Sequence, residues 1–205
     1  DIQERITGQE SEQLSNRVSL QKEAAEKVKK IQEDQKARAD KALQNSIKNA
    51  QNEISKAVFI DRKEVDISNL EASKVYQSFI GIGGVNGWFD FDFLWELRGI
   101  IDKLIGGVGL KRGRRSQCDL RISDCLDFWK VVDLQKDERL LLYAQMKVPG
   151  EAWLEFKIKD NKLIQSAYFY PKGVFGRLYW YALVPLHYFV FNNMIKSIIK
   201  KAKAL

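Results

Sequence analysis

Ala152-Trp153-Leu154-Glu155-Phe156-Lys157-Ile158-Lys159-Asp160-Asn161-Lys162-Leu163-Ile164-Gln165-Ser166-Ala167-Tyr168-Phe169-Tyr170 is the stretch whose reading decides the fold. Leu154, Phe156 and Ile158 alternate with Trp153, Glu155 and Lys157, the pattern of a strand with one face buried and its neighbour antiparallel. Asp160-Asn161 is a two-residue turn signal, because both residue types tolerate the left-handed backbone that a tight hairpin needs. Ala152–Lys159 and Lys162–Tyr170 are therefore expected to form a hairpin.

Upstream, Glu138–Met146 and Cys125–Gln135 read as two further strands, with Pro149-Gly150 as the turn into the hairpin. Downstream, Gly176–Leu205 is a long apolar segment broken only by Pro185 and reads as a C-terminal helix. Its nearly continuous apolar run over 178–195 is long enough to raise a membrane-spanning reading. Pro185, His187, Asn192 and Asn193 argue for a buried helix gripped by a curved sheet instead. Its aromatic edge and the following Lys196, Lys200, Lys201 and Lys203 leave room for peripheral contact with an anionic membrane. Before these strands, Ala57–Ile67 reads as a strand, Leu70–Ile80 as a helix capped by Ser68 or Asn69, and Gly81–Gly87 as a flexible connection. A second helix starts at Asp90 or Asp92, with Phe93, Leu94, Leu97, Ile100, Ile101, Leu104 and Ile105 on one face, and stops at Gly106-Gly107. Strands, then helices, then a meander, then a terminal helix define an α+β fold.

The first 56 residues are different in kind. All 11 Phe, 7 Tyr and 5 Trp lie at or after Phe59, as do all three Pro and every Gly but Gly8. Residues 1–56 carry 11 Lys/Arg and 10 Asp/Glu with scattered aliphatics, too few for an independent core but rich in helix formers. Ile47, Ala50, Ile54 and Ala57 follow a seven-residue apolar repeat, which fades further upstream at Asp40 and Glu33. The segment reads as one long helix or two shorter ones, serving as a coiled-coil arm or a face for a partner; the alternative is a solvated, frayed tail. The expected organisation is a charged helical arm over 1–56 and an α+β domain over 57–205.

Composition narrows the chemistry. Lys+Arg 34 against Asp+Glu 27 gives a formal charge of +7, mildly basic, and residues 1–56 are nearly neutral, so no nucleic-acid partner is expected. One His and two Cys are too few for a zinc finger or a disulfide framework, and no metal or cofactor is expected. The polar start Asp1-Ile2-Gln3-Glu4-Arg5 reads as no cleavable signal; the expectation is a cytoplasmic protein, with membrane contact at most peripheral.

Six strings resemble a known family. They are Gly87-Trp88; Leu94-Trp95-Glu96-Leu97-Arg98-Gly99; the run from Asp102-Lys103-Leu104-Ile105 through Gly106-Gly107-Val108-Gly109-Leu110 to Lys111-Arg112-Gly113-Arg114-Arg115; Asp124-Cys125-Leu126-Asp127-Phe128-Trp129; Met146-Lys147-Val148-Pro149-Gly150-Glu151-Ala152-Trp153-Leu154; and Gly176-Arg177-Leu178-Tyr179-Trp180-Tyr181. Together they resemble an uncharacterised domain family of the START/SRPBCC superfamily of helix-grip folds, whose members often follow a short-chain-dehydrogenase-like NAD(P)-binding domain. The resemblance covers about residues 58–205. It implies a curved antiparallel sheet around a long C-terminal helix, with a hydrophobic cavity used across the superfamily for lipids, sterols and polyketide-like ligands. It supplies no reaction. Residues 1–56 carry no strand-linked Gly-x-Gly-x-x-Gly motif, so the dinucleotide-binding partner domain is not expected within these residues.

On that basis Trp95, Phe128, Trp129, Phe156, Tyr168, Tyr179 and His187 are the expected cavity residues, since rings with a polar tip can hold an apolar ligand in one orientation. A hydrophobic small molecule is the expected partner, with a protein partner or self-association through residues 1–56 beside it. The rival class is a cyclase- or hydratase-like enzyme in which Asp127, Glu155 or His187 moves a proton. Those carboxylates, with Glu96, Arg98, Asp102 and Asp124, serve equally well as structural ion pairs, and His187 as a buried imidazole bonded to a backbone carbonyl or a tyrosine. A third class is a non-catalytic interaction module working through the N-terminal helices. Lys111, Arg112, Arg114 and Arg115 follow a Gly-rich turn and could attract a phosphate or sulfate. The same string also suits a helix cap leading into an edge strand, and without Gly-Lys-Ser/Thr it is not a nucleotide P-loop.

Overall fold

In a computed structural model of the chain, residues 2–83, 87–88, 99–100, 103–104, 106, 113–116 and 119–205 are described; for residues 2–16, 18, 39, 43 and 46 the backbone alone is described. Helix α1 (Ile2–Ser55) leads to strand β1 (Phe59–Asp66) and helix α2 (Ala72–Ile80). The strands β2 (Cys125–Leu126), β3 (Trp129–Gln135), β4 (Arg139–Ala144), β5 (Gly150–Lys159) and β6 (Lys162–Pro171) follow, and helix α3 (Gly173–Ala204) ends the chain. The six strands form one antiparallel sheet in the order β1-β6-β5-β4-β3-β2, so the first strand inserts beside the last and the long terminal helix packs against the sheet. This is the α+β helix-grip arrangement.

The hairpin at the centre is held as its residues dictate. Asp160 and Asn161 both have positive φ (50° and 56°), which places Lys159 opposite Lys162, Leu154 opposite Ala167 and Trp153 opposite Tyr168. The alternation along β5 and β6 then divides the sheet. One face carries Leu154, Phe156, Leu163 and Ala167 toward α2 and α3; the other carries Trp153, Glu155, Ser166 and Tyr168. The first face forms the main core, where Leu140, Leu142 and Val131 meet Val75 and Phe79 of α2 and Val190, Met194, Ile195 and Ile198 of α3.

Several elements differ from the sequence expectation for local reasons. The expected strand 125–135 is two strands, because Asp127 adopts φ 55° and turns the chain between Leu126 and Trp129. Helix α2 begins at Ala72 with Glu71 at its cap and no side-chain cap; Ser68 instead gives its amide to Asp66 Oδ1. The second expected helix lies largely outside the described residues; Gly99, Ile100, Lys103 and Leu104 are helical, and Ile100 and Leu104 are exposed, so at those two positions the stripe does not enter the core. Helix α3 buries Val190, Phe191, Met194, Ile195, Ile198 and Ala202 in its second half but exposes Val174, Phe175, Leu178, Tyr181, Tyr188 and Phe189 along its first half, because only one side of that half faces the sheet. Pro185 sits inside the helix and gives no amide to the carbonyl four residues earlier. Gly176 lets the first turn of α3 approach the β5–β6 strands closely: a Cβ there would meet the Pro149 carbonyl oxygen and come within 2.9 Å of Pro171.

The chain divides into two compact units, 1–46 and 47–205. In the first, α1 exposes Leu20, Val28 and Ile31 and carries an Arg38–Asp34 ion pair of 2.9 Å one turn apart. The second takes in the last turns of α1. There Ala50, Ile54 and Ala57 of the apolar stripe pack on Leu141, Trp153 and Tyr168, so at these positions the stripe is satisfied by the chain's own sheet. No described helix is long and apolar enough to cross a membrane.

A candidate ligand cavity beneath the terminal helix

Two alanines open the site. Ala152 and Ala167 lie on the core face of the central hairpin, where Leu154, Phe156 and Leu163 fill the neighbouring positions with large side chains. Above the gap they leave, α3 presents Tyr179, Leu183, His187 and Val190 at three- and four-residue spacing, one face of a helix. Trp129 of β3 and Met146 and Val148 of the β4–β5 connection close the far side. The result is an apolar cavity of about 120 Å³.

Its aromatic wall is ordered by stacking. Trp180 lies parallel to Phe169 (5.6 Å between ring centroids, 10° between planes) and to Phe59 (5.3 Å, 9°). His187 meets Trp180 edge-on at 5.1 Å and leans on Phe191 at 4.8 Å. Burial among these rings lowers the His187 pKa to about 4; Asp61 draws it up and Lys63 pushes it down. The imidazole is therefore neutral at physiological pH.

Two buried polar atoms of the lining residues have no hydrogen-bond partner among the described residues. One is Nε1 of Trp129, a residue 5% exposed, and the other is Nδ1 of His187. Buried donors of this kind are normally paired, and leaving one unpaired costs about 1–3 kcal/mol.

The remaining sequence candidates are dispersed. Tyr179 and His187 line the cavity with Trp129; Tyr168 borders it, although its hydroxyl donates to Glu155 Oε2 at 2.7 Å on the opposite face of the sheet. Phe128 and Phe156 lie in the packed core rather than on the wall: Phe128 stacks on Trp88 at 6.1 Å and Phe156 on Phe79 at 5.6 Å. Trp95 lies outside the described residues. Glu155 is 5% exposed and bound by Arg139 at 2.6 Å, while the same guanidinium reaches Asp133 at 2.9 Å. This cluster is on the face away from the cavity, so Glu155 does not meet a bound molecule there. Asp127 accepts the indole N–H of Trp88 at 2.6 Å and anchors the β2–β3 turn. Among the described residues that line the cavity, His187 brings the one imidazole, neutral at physiological pH, and no carboxylate or amine joins it on the wall. No group of His, Cys, Asp or Glu among the described residues could hold a metal ion.

The expected anion site is also committed to the fold where it is described. Arg114 donates to the carbonyls of Ile80 (2.6 Å) and Ile82 (2.8 Å), closing the C-terminal end of α2 where the helix dipole favours a cation. Arg115 chelates Asp124 through Nε (3.0 Å) and Nη2 (2.9 Å), and this guanidinium holds the Asp124 carboxyl below the usual carboxylate range. Lys111 and Arg112 lie outside the described residues. The residues that sequence reasoning missed are the small ones, Ala152 and Ala167, together with Trp180, Phe169, Leu183 and Val190.

The fold and the site define a helix-grip α+β protein with an aromatic-walled apolar cavity. The chain belongs to the family described as "Protein of unknown function (DUF2867)", whose model matches residues 54–194. No curated protein matches the sequence significantly. Among solved structures, the chain is similar to CalU16 from Micromonospora echinospora, at 12% identity over 71% of this chain and 83% of that one, with a TM-score of 0.31. It is also similar to NE0264 from Nitrosomonas europaea, at 11% identity over 73% of this chain and 98% of that one, with a TM-score of 0.35.

Proposed function

We propose that residues 47–205 form a binding module that holds or transfers a hydrophobic small molecule in the cavity between α3 and the β5–β6 hairpin. The observation that carries this is the unfilled apolar space lined by Ala152 and Ala167, beside a core of fully buried large side chains. Its volume is of the order of an apolar cavity that admits benzene, about 150 Å³. One ring or a short branched chain fits inside, and a lipid- or polyketide-like molecule would extend beyond it. The absence of converging acid and base groups on the described wall favours binding over catalysis.

The test is native mass spectrometry of the purified chain followed by denaturing extraction, with uptake of the uncharged fluorescent probe N-phenyl-1-naphthylamine measured beside it. A stoichiometric hydrophobic mass, or probe uptake abolished by Ala167→Leu with the fold retained, is the expected result. An empty chain whose probe uptake is unchanged by Ala167→Leu would overturn the proposal.

A further inference from the structure

We infer that the exposed side of α3 docks on the surface of an anionic lipid bilayer. Leu178, Pro185, Phe189, Lys196, Lys200 and Lys203 follow one another at steps of three, four and seven residues, so they share one side of the helix, and every one of them is exposed. That side is apolar as far as Phe189 and basic from Lys196 onward. Phe175, 82% exposed, widens the apolar part together with Val174, Tyr181 and Tyr188. From Val174 to Phe189 it runs for about 22 Å at 1.5 Å per residue. Contiguous apolar surface of this length left in water marks an interaction site.

Charge selects the occupant. Over residues 173–204 the helix carries Arg177 and four lysines and no Asp or Glu. Two acids near its first half are already matched. Asp61 pairs with Lys63 at 2.6 Å, and Lys63 lies over the Tyr188 ring at 5.7 Å; Glu151 faces Lys172 at 3.9 Å. A second copy meeting this side with its own would cover the rings but bring more cations and no counter-charge from that helix. An anionic bilayer supplies both halves: acyl chains for the rings, and negative headgroups for lysines that reach them on long apolar stems. The helix then lies in the interface, its buried side still packed on the sheet.

The test is flotation of the full chain with vesicles of phosphatidylcholine alone and of phosphatidylcholine with about one-third phosphatidylserine. Binding to the anionic vesicles should exceed binding to the neutral ones by about tenfold or more at roughly 0.1 M salt, and fall toward the neutral level at roughly 1 M. Lys196→Gln with Lys200→Gln should weaken anionic-vesicle binding by more than about tenfold, at about fivefold for each lysine beside a charged surface. Phe175→Ser with Phe189→Ser should weaken it at least as much, because two rings leave the acyl layer. All four side chains are exposed, so circular dichroism should show the fold retained, and the comparison of the two vesicles needs no variant. Ala167→Leu, which fills the cavity, should leave flotation unchanged, so this inference and the cavity reading fail separately. Equal binding to the two vesicles, no flotation with either, or flotation untouched by both pairs of substitutions overturns the inference. A dimer in light scattering that Phe175→Ser with Phe189→Ser returns to monomer, in a chain that does not float, overturns it in favour of a second copy.

Discussion

Replacing His187 by leucine should remove a pH-dependent weakness from the protein. In the folded chain the imidazole is enclosed by Trp180 and Phe191 and its pKa falls from 6.5 to about 4. At about 1.4 kcal/mol for each tenfold in proton affinity, that fall is worth at most about 3 kcal/mol. The sign follows from which state holds the proton. Above pH 6.5 the ring is neutral folded or unfolded and contributes no slope. As pH falls from 6.5 toward 4, the unfolded chain takes up a proton that the folded one refuses, and stability drops; below about 4 both bind it and the loss levels off. Asp61 and Lys63, which face the ring, are present in both proteins, as are the carboxylates that titrate in this range. Their contributions largely cancel in the difference. Urea unfolding followed by circular dichroism at pH 7, 6, 5 and 4 should therefore show the His187→Leu chain gaining on wild type by up to about 3 kcal/mol across the window. A difference that stays constant from pH 7 to pH 4 would refute the burial argument and with it the neutral imidazole.

Three other outcomes are expected. Gly176→Ala forces a Cβ against the Pro149 carbonyl and Pro171 and should cost about 1–3 kcal/mol, read as a lower midpoint in thermal unfolding. Arg139→Met leaves Glu155 and Asp133 buried without their cation and should cost about 3–5 kcal/mol in urea unfolding, with much of the loss recovered when both carboxylates are also made apolar. A chain begun at residue 47 should unfold with the midpoint of the full chain, whereas one begun at residue 57 loses the cover that Ala50 and Ile54 give Leu141, Trp153 and Tyr168 and should be weaker by roughly 2 kcal/mol.

The hairpin was legible because its signals agree. The turn residues at 160–161, the alternation in β5 and the matching run in β6 all specify one register. That alternation also placed Glu155 opposite to Leu154 and Phe156, which is why it faces away from the cavity. The break between β2 and β3 was hidden, since it depends on a left-handed aspartate that has no hydrophobic signature. The terminal helix misled in one respect: it is apolar on every side, so no periodicity marks which half is covered and which is exposed. Cavity residues divide along similar lines. Trp129, Tyr179 and His187 stand out in the sequence as large polar-tipped rings, but the space itself is made by two alanines, and a missing side chain leaves no signal.

Pro185 has a consequence for exchange. It lies between Leu183 and Leu186, both on the cavity wall, and withholds an amide from the carbonyl of Tyr181. The cavity is thus bounded on one side by a fully paired sheet and on the other by a helix whose ladder lacks a rung over the void. For a guest held as proposed, capacity would be set by the sheet, through its two alanines, and the rate of exchange by the helix, so the two would be tuned by separate substitutions.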